Sequence, residues 1–177
     1  MSHETGFATP LDADVLVRAG RHDAAAQAEI YRLYVRAALA LGVRMLGQLS
    51  HAEDAVHDGF LTAFDRLRSF RGDAPFGAWL KRIMVNTMID RLRAEKRRAE
   101  STLDQDVVEP AGREAAHAID ARSLLARLKP RARAVVVLHE LEGFAHADIA
   151  ALFGQSESWS KSQLARSLAY LREEQER

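Results

Sequence analysis

Cysteine is missing from all 177 residues, which argues against a disulfide-framed extracellular fold and removes a thiol nucleophile. Long apolar runs are missing as well, since none approaches the roughly 18 to 20 residues of a membrane span. The opening stretch MSHETGFATPLDADVL carries neither the basic nor the apolar segment of a signal peptide. A soluble, cytoplasmic chain with no direct membrane insertion is therefore expected. In that setting the Arg71-Gly72-Asp73 tripeptide is a coincidence and not an adhesion motif. There is no phosphate-cradling glycine loop, and no serine sits in a nucleophile elbow. Net charge is absent too, with 25 Lys and Arg against 25 Asp and Glu. Only four prolines and ten glycines interrupt the chain, which favours helices, and its length suits one domain or two small ones.

What remains is helical patterning almost throughout. Asp12 to Ala19 reads as a short helix closed by Gly20. Asp23 stands at the N-cap of a long second helix in which Ile30, Leu33, Tyr34, Ala37 and Leu41 repeat at three and four residues, as core material does. A polar break at Ser50 leads into a third helix. A fourth follows the Ala74-Pro75 turn and runs to about Arg98, with Pro75 placed where a missing N–H costs nothing. Residues 101–120 then hold five acids (Asp104, Asp106, Glu109, Glu114, Asp120) against one base, Arg113, with Pro110 and Gly112 as breakers. Their first half reads as a flexible acidic linker. Beyond it come a helix ending before Lys129-Pro130, a helix ended by Gly143, HADIAALF ended by Gly154, and a last helix over about 157–173. The expected fold is all-α: two small helical domains, residues 1–99 and 117–177, joined by a linker over 100–116.

Two stretches carry more than packing. On the fourth helix apolar side chains cover nearly the whole circumference except one strip of Arg82, Asn86, Asp90, Arg93 and Arg97, with Trp79 at its margin. Residues 81–98 hold seven bases against two acids, a local charge of +5. Such a stripe suits a phosphate backbone, and an aromatic ring suits an unstacked base; the same stripe would also suit a solvated basic helix end. The third helix has the opposite sign: Asp54, Asp58 and Asp65 lie within about 40° of one another beside Leu61, while Val56, Phe60, Ala63, Phe64 and Leu67 take the other side. Acids flanking a leucine suit a basic protein partner or simply solvent. The two together make this half bipolar, so neutrality of the whole does not exclude nucleic acid.

In the C-terminal half, HADIAALFGQSESWSKSQLARSLAYL reads as helix, glycine turn, helix. Ser158, Lys161, Ser162 and Arg166 are donors near the start of the second helix, where a helix-turn-helix meets base edges and phosphates. Ile149, Ala150, Leu152, Leu164, Leu168 and Leu171 are expected inside. Catalytic readings find no support. His139 and His146 are seven apart, not the four of a helical zinc pair, and His51, Asp54, His57 and Asp58 read as a solvated helix face before a metal site. No cofactor is expected.

The stretch HAEDAVHDGFLTAFDRLRSFRGDAPFGAWLKRIMVNTMIDRLRAEKRR resembles region 2 of bacterial sigma factors of the extracytoplasmic function (ECF) type. LLARLKPRARAVVVLHELEGFAHADIAALFGQSESWSKSQLARSLAYLRE resembles their region 4. The resemblance implies a two-domain, all-helical promoter-recognition subunit of RNA polymerase that carries out no chemistry itself and is not an enzyme. It makes Glu53, Asp54, His57, Asp58 and Leu61 candidates for docking on the coiled coil of the largest subunit of core RNA polymerase. It makes Phe70, Arg71, Gly72 and Asp73 the loop that holds a base flipped from the promoter −10 element, and Lys81, Arg82, Asn86, Arg93 and Arg97 contacts to the melted strand. Trp79 is either a stacking partner of that strand or core. In region 4 the resemblance points to Ser158, Trp159, Lys161, Ser162, Gln163 and Arg166 as −35 contacts. Here the chain departs from the family. Gln163, Leu168, Ala169 and Tyr170 stand where bases are common, and residues 131–177 hold six bases against seven acids. Fewer phosphate contacts weaken binding and flatten its salt dependence. Trp159 is available to a thymine methyl or to a protein partner. The family further implies an anti-sigma factor as a partner, and a stress or envelope regulon. The alternative is a sigma-like decoy that binds an anti-sigma factor without binding DNA.

Overall fold

A computed structural model describes residues 6–101 and 121–175. The expected linker lies outside the described residues apart from its first two positions. Among the described residues there are eight α-helices and no strand: α1 (Ala13–Gly20), α2 (Ala24–Leu46), α3 (Leu49–Asp65), α4 (Phe76–Ser101), α5 (Ala121–Ala126), α6 (Pro130–Val136), α7 (His146–Phe153) and α8 (Glu157–Gln175). None of them is long and apolar enough to cross a membrane.

Local chemistry accounts for the helix starts. Asp12 Oδ1 accepts from the Asp14 N–H at 2.8 Å, and Asp23 Oδ1 accepts from Ala25 and Ala26 at 2.8 and 3.2 Å, pairing donors that a first turn otherwise leaves unsatisfied. Those backbone donors hold the Asp23 carboxyl below the usual carboxylate range. Ser156 opens α8 in the same way, its Oγ accepting from Trp159 N at 3.2 Å. One expected boundary is corrected: α2 stops at Leu46, not at a break near Ser50, because Gly47 takes φ +85° and turns the chain. Leu49, the last residue before that break, begins α3 and is 54% exposed.

The described residues form two compact units. The first comprises the chain up to Val43 together with Gln48–Met88. Its core holds Ile30, Tyr34 and Leu41 of α2, Val56 and Phe60 of α3, and Leu80, Met84, Val85 and Met88 of α4, all buried. Side chains of this size contribute roughly 1.5 to 3 kcal/mol each when removed from water, so α4 is anchored by one face and not by its polar stripe. Gly59 brings α3 close enough to α4 that any Cβ there would overlap the Met84 sulfur.

The second unit comprises Arg44–Gly47 and the chain from Ile89 onward. Ile89 and Leu92 join Leu124, Leu125, Val135, Leu138, Ile149, Phe153 and Leu164 in its core. Arg133 is buried there and donates to the Met45 and Leu46 carbonyls at 3.1 and 2.7 Å, satisfying acceptors that a helix end leaves open. Burial pulls its guanidinium below the usual arginine value, partly opposed by Glu95. After α6 the helix widens into a single π turn over Val137–Leu141, and Gly143 reverses the chain at φ +73°.

Candidate nucleic-acid interface

The segment from Leu67 to Pro75 joins α3 to α4. A 3-10 turn (Leu67–Ser69) closes on Phe70, and Arg71, Gly72, Asp73, Ala74 and Pro75 are all exposed. Gly72 adopts φ +78°, a conformation that side chains resist, and leaves open space where a Cβ would stand. Arg71 Nε lies 3.2 Å from Asp73 Oδ2, with both side chains in solvent. Beneath this loop is an aromatic cluster. The Phe70 ring meets Phe76 edge-on at 5.5 Å and Trp79 at 5.4 Å, and Phe76 meets Trp79 at 5.5 Å. Phe76 is buried, while Phe70 and Trp79 are half-buried. Packing on Phe70 and Phe76 thus accounts for part of the Trp79 surface, and the residue as a whole is half-buried.

Along α4, Arg82, Asn86, Asp90 and Arg97 are exposed, and Lys81 is half-buried. Ile83, Met84, Val85, Met88, Ile89 and Leu92 are buried around them, so the polar strip is narrow, as the periodicity indicates. Arg93 is directed differently from its expected role. It lies 3.4 Å from Asp90, and its other guanidinium nitrogen donates to the Leu152 carbonyl inside the second unit, leaving the side chain half-buried.

On α3, Glu53, Asp54, His57, Asp58 and Leu61 are all exposed, with Leu61 at 51%. Ala52, Ala55, Val56, Gly59, Phe60 and Ala63 occupy the opposite, buried face. Tyr31 of α2 leans against Phe60 at 4.7 Å and remains 41% exposed.

The helix-turn-helix is α7, the turn and α8. Gly154 ends α7 in the left-handed conformation, φ +62°, its N–H donating to the Ala151 carbonyl. Ser158, Lys161, Ser162 and Arg166 are exposed on α8. Lys161 pairs with Glu157 at 2.7 Å, and this pair, first through its hydrogen bond, holds the Glu157 carboxyl below its usual range. Arg166 donates to Gln163 Oε1 at 3.2 Å. Ile149, Ala150 and Leu164 are buried as expected, whereas Leu152, Leu168 and Leu171 are half-buried. Trp159 packs on Phe153 at 5.3 Å, and the Arg131 guanidinium stands 5.2 Å from each of the two rings. Cation–π attraction of this kind fixes the start of α8 on α6 and α7.

Sequence reasoning did not find the role of Arg131, nor that of the histidines. His139 and His146 stack at 4.1 Å, their planes 16° apart. His139 Nδ1 donates to the Phe144 carbonyl at 3.0 Å, and His146 Nδ1 pairs with the buried Ser160 hydroxyl at 3.0 Å. A spacing of seven looks unproductive on one helix, but the turn at Gly143 folds the π turn back beside α7. Among the described residues no group of three or more His, Asp or Glu side chains is arranged to hold a metal ion. Desolvation lowers the His146 pKa first, then the His139 and Lys161 charges, with Glu157 and Glu140 opposing. A depressed imidazole pKa stabilises the fold while His146 is neutral. That contribution is present above the free value of about 6.5 and is lost as pH falls below it. Thermal denaturation should accordingly show the melting temperature falling between pH 7 and pH 5, and falling less in His146→Gln. Equal slopes in the two proteins would disprove the assignment.

The chain matches two family profiles: Sigma-70 region 2 over residues 30–98 and Sigma-70 region 4 over residues 119–171. It is 40% identical to the ECF RNA polymerase sigma factor SigM of Mycobacterium tuberculosis, over 68% of this chain and 62% of that protein. It is 34% identical to the ECF RNA polymerase sigma-E factor of Escherichia coli strain K12, over 56% of this chain and 60% of that protein. It thus spans about three fifths of the relatives it matches. In three dimensions it is similar to the sigma factor RpoE of Bartonella quintana, solved in complex with the anti-sigma factor NepR: TM-score 0.55, 24% identity, 82% of this chain and 94% of the other. It is also similar to CnrH, solved with the cytosolic domain of CnrY: TM-score 0.51, 25% identity, 92% and 96% coverage. Described residues that are helical without strands, with a loop-led basic helix, an acidic helix and a C-terminal helix-turn-helix, form the architecture of a sigma-type protein. The chain belongs to the sigma-70 family, in its ECF group.

Proposed function

We propose that this protein is an RNA polymerase sigma factor that joins the core enzyme, opens the promoter −10 element and directs initiation on a stress or envelope regulon. The observation that carries this reading is the exposed loop 71–75 over a half-open aromatic cluster, leading straight into the exposed Arg82 and Asn86 of α4. A base leaving the duplex loses a few kcal/mol of stacking. Exposed backbone at Gly72 and the open part of the Phe70–Trp79 pair are suited to offset that loss. The exposed acids and Leu61 on α3 suit a basic partner surface, which we assign to the largest-subunit coiled coil of core polymerase. Residues 1–99 would then bind the core enzyme and the −10 element, and residues 117–177 the −35 element through Ser158, Lys161, Ser162, Gln163 and Arg166. With Trp159 and Arg131 engaged with each other, few cations remain for phosphate contact, and −35 binding is expected to be weak with a shallow salt dependence. The protein acts in the cytoplasm and carries out no chemistry of its own. A protein partner controls it, as RpoE and CnrH are each described in a protein complex; we infer an anti-sigma factor.

The same poverty of charge in residues 131–177 favours a second reading, a decoy that binds an anti-sigma factor and no DNA. Footprinting on genomic fragments with a probe of unpaired bases separates the two. A melted patch that needs both this protein and core polymerase is expected. Binding to the polymerase or to an anti-sigma factor with no melted DNA would replace the first reading by the second.

A further inference from the structure

The N-terminal residues Gly6–Pro10 form a strap on the first unit, closed by a turn in which Thr9 N donates to the Gly6 carbonyl at 3.2 Å. The Phe7 ring stacks on Tyr34, 6.4 Å between centroids and 17° between planes. The Tyr34 hydroxyl donates to the Thr9 carbonyl at 2.7 Å. Tyr34 is wholly buried, and a buried hydroxyl without an acceptor carries a desolvation cost, so the strap supplies what this phenol needs. Its backbone also crosses the first turn of α4. Gly77 is buried directly beneath it, and a Cβ at that position would overlap the Phe7 carbonyl.

Both attachment points touch the wall below the 71–75 loop. Tyr34 meets Phe76 at 5.7 Å, and Phe76 meets Phe70 and Trp79 at 5.5 Å. Gly77 follows Phe76 directly. The ring contacts therefore run unbroken from Phe7 through Tyr34 and Phe76 to the pair flanking the exposed loop. Packed interiors transmit such displacements because they have little free volume.

We propose that Gly6–Pro10 is a positioning strap for base capture, with Phe7 as the positioning residue and Gly77 as the crossing point that admits it. Phe7 acts through Tyr34 and Phe76 on the pose of Phe70 and Trp79, and it does not itself meet the nucleotide. This rests on the sigma-factor reading and adds a segment upstream of the family match, which begins at residue 30.

The test uses the full chain with core polymerase on a promoter located by the footprint, comparing wild type, Phe7→Ala, Phe7→Tyr and Gly77→Ala. Unpaired-base reactivity at −10 measures opening, and a separate titration measures affinity for core polymerase. Phe7→Ala and Gly77→Ala are expected to lower opening about tenfold, the scale of weakening one stacking contact to an unpaired base, with core affinity unchanged and Phe7→Tyr close to wild type. Opening at the wild-type level in both variants would overturn the strap alone. So would a parallel loss of core affinity, which would mark Phe7 as general packing. If wild type with core polymerase melts no DNA, the functional reading fails first and the strap falls with it.

Discussion

Arg82→Ala combined with Asn86→Ala is expected to suppress promoter opening by about 100-fold or more while core polymerase is bound almost as before. Both side chains are exposed on α4, just beyond the Phe70–Trp79 pair, and neither is part of the buried face that holds the helix in place. Polar and stacking contacts to unpaired nucleotides contribute roughly 1 to 3 kcal/mol each, so losing two of them reaches that range. Exposed substitutions away from packing usually change stability by less than about 0.5 kcal/mol, and the fold should be retained. Arg82→Ala should also reduce the slope of log K against log salt by about one. Opening kinetics at several salt concentrations, set beside core-binding titrations, check both points. A loss of core affinity equal to the loss of opening would show that α4 does not serve DNA.

The complementary change is Asp58→Arg with Leu61→Asp on α3. Asp58 is exposed in the acidic stripe, and Leu61 is a large apolar side chain left 51% exposed beside it. If a basic coiled coil docks there, reversing one charge places like charges opposite each other, at a cost of several kcal/mol. Removing the leucine forfeits roughly 1.5 to 3 kcal/mol of apolar burial. Affinity for core polymerase should therefore drop at least about 100-fold, as measured by titration of labelled protein. Because both positions lie opposite the buried face of Val56 and Phe60, the melting temperature should stay close to that of wild type. Unchanged core affinity would remove α3 as the docking face. The two experiments together decide whether the bipolar charge of the first unit reflects two partners.

Much of this organisation is legible in the sequence because it is periodic. Val56, Phe60 and Leu67 repeat at helical spacing and are buried, and Asp54, Asp58 and Leu61 fall opposite them and are exposed. Gly154 marks the end of α7 since only a residue without a Cβ adopts φ +62° at no cost, and Asp12 and Asp23 mark helix starts because a carboxylate there reaches its own backbone donors. Each of these signals acts within about four residues, the reach of a single helical turn.

Contacts that span greater distances depended on the packing of whole helices. The sequence placed the end of α2 at Ser50 because apolar residues continue through Leu49, but left-handed Gly47 turns the chain earlier. Arg93 lies on the basic strip by its position in α4, and it reaches Leu152, 59 residues on. Trp159 looked free at the head of α8 until Arg131, 28 positions earlier, was found against its ring. The His139–His146 stack needs the π turn and Gly143 together, and the Phe7 strap needs α2 and α4 already side by side. The sequence by itself therefore determined the helices, their charged faces, most of their buried positions and the family, although Leu33 of α2, expected in the core, is 37% exposed. Tertiary structure decided which charged and aromatic groups are engaged with each other and which stay open to a partner, because that depends on distances between helices that no local pattern encodes.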